Sequence, residues 1–250
     1  MITDSFDNKT EPIFTLKDFY GERKMLLDTC VIIFSKEIYE TVLTAYSCTK
    51  ITEINAVNGA VPIYKFSHEG KEIAFYLSAI GATGTSEYCI EANWLTGAEK
   101  FIMFGSAGSL NKEKTQGRFV IPTEAYRDEG ISYHYAPPSD YIKIKNHEKL
   151  ASIFDELHLP YVKGRVWSTD AFLRETAGEV AKRQKEGCIA VDMELAGVQS
   201  ICDFYGFDLY GFLVTGDVLS EDKYEMEKLN DANHNLNKFY IALEIAKRII

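Results

Sequence analysis

Apolar strand-like runs alternate with helix-like patterns along nearly all of this 250-residue chain, and that alternation narrows the folds open to it. MLLDTCVIIF (Met25–Phe34) reads as a strand and SKEIYETVLTAY after it as a helix. Three more strands are expected at Ile51–Val57, Val61–Ser67 and Glu72–Ile80, with HEGK (His68–Lys71) as a hairpin turn. A helix over Thr85–Glu99 feeds a strand at Phe101–Phe104, where FIMFGSAGSL breaks into small residues. Phe119–Pro122 and Tyr161–Trp167 are further strands, with a helix through HEKLASIFDELH between them. Cys188–Val191 leads into a helix over Glu194–Tyr205, Phe207–Thr215 is another apolar strand, and one long helix is expected from about Tyr224 to Ile250. Continuous apolar strands separated by helices imply an α/β fold, a mixed and largely parallel central sheet with helices on both faces. No linker, repeat or low-complexity tract divides the chain, so a single domain over 1–250 is expected.

In such sheets ligands gather beyond the carboxyl ends of strands. Three strand ends carry small or polar residues there: Gly105-Ser106-Ala107-Gly108, Asp192-Met193-Glu194 and Thr215-Gly216-Asp217. Each has a plain structural reading. The glycines of the first could serve a tight turn, or bare backbone N–H groups toward a phosphate. Glu194 could simply favour the positive end of a helix, Met193 could fill core, and Asp217 could cap a helix or a turn opened by Gly216.

The net charge of −10 disfavours nucleic acid as a partner, and no apolar run approaches the ~20 residues of a membrane helix. The polar N-terminus MITDSFDNKTEP lacks the pattern of a secretory signal. Five scattered cysteines without CxxC spacing argue for free thiols and against a zinc site, so a cytoplasmic location is expected and no metal.

Taken together, GSAG, AYRDEGISYHY (Ala125–Tyr135), WSTDAF (Trp167–Phe172), AVDMELAGV (Ala190–Val198) and VTGD resemble, in order and spacing, the nucleoside phosphorylase and nucleosidase superfamily. The resemblance runs from about Glu72 to Asp222. It implies a nucleoside phosphorylase-like fold and cleavage of an N-ribosidic bond through an oxocarbenium-like ribose. On it, Met193 and Glu194 grip the ribose hydroxyls, Asp217 gives a proton to the leaving base, and Phe172 lines the base pocket. Ser106, with the backbone of Ala107 and Gly108, forms the phosphate cradle. No cofactor is implied beyond phosphate as co-substrate, so the activity expected is that of a pentosyltransferase. The partners expected are a nucleoside and phosphate, and a homo-oligomer, either a dimer or a trimer of dimers. The residues after STDAF are LRETAG, where Thr176 and Gly178 replace the Gln and Arg with which uracil-specific members read their base. That and Asp217 point to a purine.

The phosphate side departs from the family pattern. Met103 stands where an arginine is expected, IIFSKEIYE lacks the glycine and arginine of the first loop, and EINAVNGAVPIY contains no arginine. Phosphate held without guanidinium forks is one outcome. Water activated by a glutamate after the first strand is another, with Glu40 the better placed and Glu37 beside it. A third is a non-catalytic nucleoside-binding protein.

Overall fold

The structure is a computed structural model that describes residues 5–7 and 9–249. Ile250, at the end of the expected terminal helix, and Met1–Asp4 of the polar N-terminus lie outside the described residues. In chain order the elements are α1 (Leu16–Tyr20), β1 (Thr29–Ile33), α2 (Lys36–Ala45), β2 (Thr49–Ala56), β3 (Gly59–His68) and β4 (Lys71–Leu77). Then come α3 (Ala82–Thr96), β5 (Lys100–Ser109), α4 (Lys112–Thr115), β6 (Phe119–Asp128), α5 (Ser132–Tyr135) and β7 (Tyr141–Lys143). They are followed by α6 (His147–Glu156), β8 (Tyr161–Thr169), α7 (Ala177–Lys185), β9 (Cys188–Asp192), α8 (Leu195–Tyr205), β10 (Asp208–Leu219), β11 (Tyr224–Glu225), α9 (Leu229–Asn233) and α10 (Asn237–Arg248).

Strand β1 shows why the chain needs helices on two sides. Its side chains alternate, Cys30 and Ile32 entering one apolar layer and Val31 and Ile33 the other, as the two-residue period of a strand dictates. The first layer is closed by α3 and α8 through Cys89, Leu95, Val198 and Cys202, and the second by α2, α6 and α10 through Ile38, Phe154, Phe239 and Ile245. Phe101 and Met103 of β5 join the first layer, Ile102 and Phe104 the second. The expected single α/β unit with a mixed sheet and helices on both faces is what the chain forms.

The sheet is more antiparallel than expected. β1 pairs in parallel with β4 and β5, and β4, β3 and β2 form an antiparallel meander with its hairpin at Glu69–Gly70. Beyond β5 the pairings run β5–β10, β10–β6, β6–β8, β8–β9 and β9–β5, closing a five-strand ring. Closure brings the carboxyl ends of β5, β9 and β10 to one rim.

Two further expectations are corrected. Gly105-Ser106-Ala107-Gly108 is no turn. Gly105–Ala107 pair in register with Leu213–Thr215 of β10, Gly108 pairs with Val191 of β9, and neither glycine has a positive φ. Apolar neighbours on both sides keep the segment extended where composition alone suggested a break. The region from Tyr224 is not one helix either. It makes the short β11, which pairs with Val218–Leu219, and then two helices separated at His234–Leu236. The sheet edge captures the start, and the polar NHN run (Asn233–Asn235) turns the chain between the helices. Among the described residues no helix is long and apolar enough to cross a membrane. All five cysteines are free thiols, four of them buried.

Candidate active site

Two adjoining cavities open at the rim where β5, β9 and β10 end. One, of about 650 Å³, is lined by Ala107, Gly108, Phe172, Glu175, Asp217 and Tyr224 among others. The second, of about 280 Å³, is lined by Ser35, Gly105, Glu194, Asn233, His234 and Lys238 among others. Ser106 and Met193 line both, so they are the hinge between two lobes of one site. A larger hollow of about 750 Å³ behind Leu219 holds neither Asp217 nor Glu194 and is bordered by the surface lysines Lys112, Lys114 and Lys223. The three strand ends singled out in the sequence meet in the two-lobed site.

Asp192-Met193-Glu194 divides its work. Asp192 is buried and accepts hydrogen bonds from the N–H groups of Glu194 (3.0 Å) and Leu195 (2.7 Å) and from the hydroxyl of Ser168 (2.6 Å). It therefore ties down the backbone N–H groups at the start of α8. That leaves Glu194 free to serve the cavity, with one carboxylate oxygen accepting from Gly81 N–H at 2.7 Å. Burial, then the charge of Asp192, lifts the Glu194 carboxyl to about 8.

At the third strand end Gly216 and Asp217 form a bulge, since the β5–β10 register shifts between Thr215 and Val218. The bulge, and not a turn after the strand, re-aims Asp217 into the larger lobe. Burial raises its carboxyl above the usual carboxylate range, and a hydrogen bond from Tyr224 opposes the shift. Gly108 lies directly alongside. A methyl group there would collide with Leu219 and Val191, so the glycine serves close approach. Phe172 lies on a single 3-10 turn and lines this lobe with its ring still half in solvent. Glu175, three residues on, is a second carboxyl in the lobe, pushed up to about 7 by burial and then by Asp217.

The smaller lobe is built from parts that sequence reasoning did not single out. The Ser106 hydroxyl donates to the side-chain oxygen of Asn233. Lys238 is buried, and its ammonium donates to the carbonyls of Ala232 (2.6 Å) and Asn233 (3.2 Å) at the end of α9. Ser35 caps α2 by accepting from Ile38 N–H, and its hydroxyl also meets Nδ1 of His234 at 2.8 Å. No motif flags these residues. Asn233, His234 and Lys238 look like ordinary polar positions on a surface helix, and only the break between α9 and α10 brings them inward. Ser35 was the one readable signal, a helix cap directly after the first strand.

Other expected residues fall elsewhere. Met103 is buried in the core layer under α8 and lines neither lobe. Glu40 is on the exposed side of α2, 3.6 Å from Lys36, and lines neither lobe. Glu37 is exposed too but stands 3.6 Å from Nδ1 of His234. The three expected cradle residues, Ser106, Ala107 and Gly108, all line the larger lobe, and Ser106 lines the smaller one as well, beside Gly105. AYRDEGISYHY is a scaffold: Arg127 donates to Ser132 (2.8 Å) and to the carbonyl of Pro137 (2.6 Å), and its guanidinium lies 4.3 Å from the Tyr133 ring centroid.

Residues 28–248 match the family described as the phosphorylase superfamily. The chain belongs to that superfamily. Among its curated relatives, a DeoD-type purine nucleoside phosphorylase of Bacillus cytotoxicus is 26% identical over 186 residues, covering 73% of this chain and 77% of the relative. The fold is shared with a 5′-methylthioadenosine/S-adenosyl homocysteine nucleosidase of Campylobacter jejuni (TM-score 0.72, 17% identity, 89% of this chain and 100% of that one). It is shared as well with a purine nucleoside phosphorylase of Toxoplasma gondii (TM-score 0.71, 22% identity, 88% and 90%). The fold is therefore shared by a protein named as a nucleosidase and by one named as a purine nucleoside phosphorylase.

Proposed function

We propose that this chain cleaves the N-ribosidic bond of a purine nucleoside with phosphate, giving the free base and ribose 1-phosphate. The observation that carries the reading is the placing of carboxyls across the hinge: Asp217 and Glu175 in the larger lobe, whose wall also holds Asp192, Glu221 and Asp222, and Glu194 in the smaller. A base seated over Phe172 in the larger lobe puts its ring nitrogens near Asp217, whose raised pKa suits a group that must hold a proton until the bond breaks. A ribose seated at Met193 offers its hydroxyls to Glu194. There, ionised carboxylate accepts their hydrogen bonds and favours the positive charge developing on the sugar. The phosphate oxygen forms the new bond to the anomeric carbon, the pair of electrons in the N-ribosidic bond leaves with the base, and the Asp217 proton neutralises it.

Phosphate is favoured over water by the position of the candidate bases. Glu40 lines neither lobe, and Glu194, committed to the ribose, is the only carboxylate lining the smaller lobe among the described residues. The DeoD-type relative, a purine nucleoside phosphorylase, supports the same choice. One arrangement favours the hydrolytic alternative: His234 lines the smaller lobe with Ser35 and Glu37 both at its Nδ1, so it could orient a water. A panel of purine and pyrimidine nucleosides, assayed with and without phosphate and with the sugar product identified, separates the two. Pyrimidine cleavage in preference to purine would remove the base assignment.

A further inference from the structure

Lys238 is a buried cation without a counter-ion. No carboxylate pairs with it among the described residues, and burial lowers its amine to about 8. An ammonium has three protons to donate. Two go to the carbonyls of Ala232 and Asn233, and the third has no protein acceptor among the described residues. Burying a charge in this state is costly, and an arriving anion relieves the cost.

What surrounds it is suited to an anion. The Lys238 nitrogen is 6.0 Å from the ring centroid of Phe104, which lines the same lobe. Asn233 ties it to Ser106, accepting from the lysine with its main-chain oxygen and from the serine with its side chain. The N-terminus of α2, a ten-residue helix, enters the lobe at Ser35 and Lys36 and adds its positive end. His234 completes the wall.

Resting on the phosphorolytic reading above, we infer that Lys238, positioned through Asn233 beside Ser106, is the cation that holds the attacking phosphate in this chain. It fills the electrostatic role left open by Met103, from a helix at the far end of the sequence. As a point charge with one free proton, Lys238 gives a weaker grip than a guanidinium fork.

The test is steady-state kinetics on the purified chain with inosine and varied inorganic phosphate, together with calorimetric titration of phosphate alone. Lys238→Met should raise the KM for phosphate about tenfold or more, the loss of one charge-assisted hydrogen bond, while the KM for inosine stays within about twofold. Lys238→Arg should recover most of the loss, which a merely structural lysine buried against two carbonyls would not allow. If Lys238→Met does not fold, Lys238→Gln keeps a donor for the α9 carbonyls and removes the charge, and it decides in its place. An unchanged phosphate KM in a folded, uncharged variant overturns the assignment, and so does a rise in the inosine KM alone. Should the wild type release free ribose or nothing, the phosphorolytic reading fails, and the titration alone then judges Lys238. Phosphate heat present in wild type and lost in Lys238→Gln upholds it, whereas equal heat in both, or none in wild type, overturns it.

Discussion

The two lobes of the site are built by opposite electrostatic means. The larger lobe brings two carboxyls, Asp217 and Glu175, into a place where burial makes both reluctant to ionise. The smaller lobe sets a buried ammonium, a helix N-terminus and a serine around open space, with Glu194 as its one carboxyl among the described residues. On the proposed reading, one side gives up a proton and the other takes an anion. Between them Ser106 and Met193 mark where the bond to be broken would lie. The comparison teaches that the lobes can be disabled separately, and that each should fail with its own kinetic signature.

The largest effect is expected in the proton-donating lobe. Asp217→Asn keeps a hydrogen-bond donor but cannot release a proton, so turnover of purine nucleosides should fall by ~10³-fold. A riboside whose leaving group needs no proton should lose far less. Equal losses on both substrates would reduce Asp217 to a structural bulge residue. Next is Glu194→Gln, which keeps the shape but removes the charge favouring an oxocarbenium, and should cost ~10²-fold in turnover. Full activity in that variant would take Glu194 out of the site.

The pH dependence is expected to sharpen the comparison. Glu194 has its carboxyl raised to about 8, so below that pH it is mostly protonated in the free protein and becomes a charged acceptor only as pH rises. On a riboside whose leaving group needs no proton, so that Asp217 does not enter, kcat/KM should therefore climb about tenfold per pH unit up to about pH 8, and the climb should vanish in Glu194→Gln. A flat wild-type profile on that substrate between pH 6 and 8 would show that the protonated form serves as well. The smallest change is expected from Ser106→Ala, which removes one neutral hydrogen-bond partner of Asn233 at the hinge. The KM for phosphate should rise by a factor of about three to ten, the worth of one such bond, with kcat little altered.

Much of this was legible in the sequence, for reasons that differ from part to part. The strands show as apolar runs because both faces of the sheet are covered, and the ends of β5, β9 and β10 show because small and acidic residues interrupt those runs. The GSAG segment misleads since two neighbouring strands hold it extended, a tertiary effect that no local pattern records. The same holds for Tyr224–Glu225, captured by the edge of β10. Glu175 stood in plain view between Phe172 and the capping Thr176, but its meaning depends on facing Asp217 across the fold. Lys238 was the least legible. On α10 it sits next to core-facing Phe239, where a lysine usually reaches for solvent, and only the turn after α9 folds it under instead.

The most direct test of the account is the identity of the sugar released by the purified protein from inosine. With phosphate present, ribose 1-phosphate should appear in step with hypoxanthine, and without phosphate neither should form. Free ribose released at a rate indifferent to phosphate, or no base released from any purine nucleoside, would contradict the account.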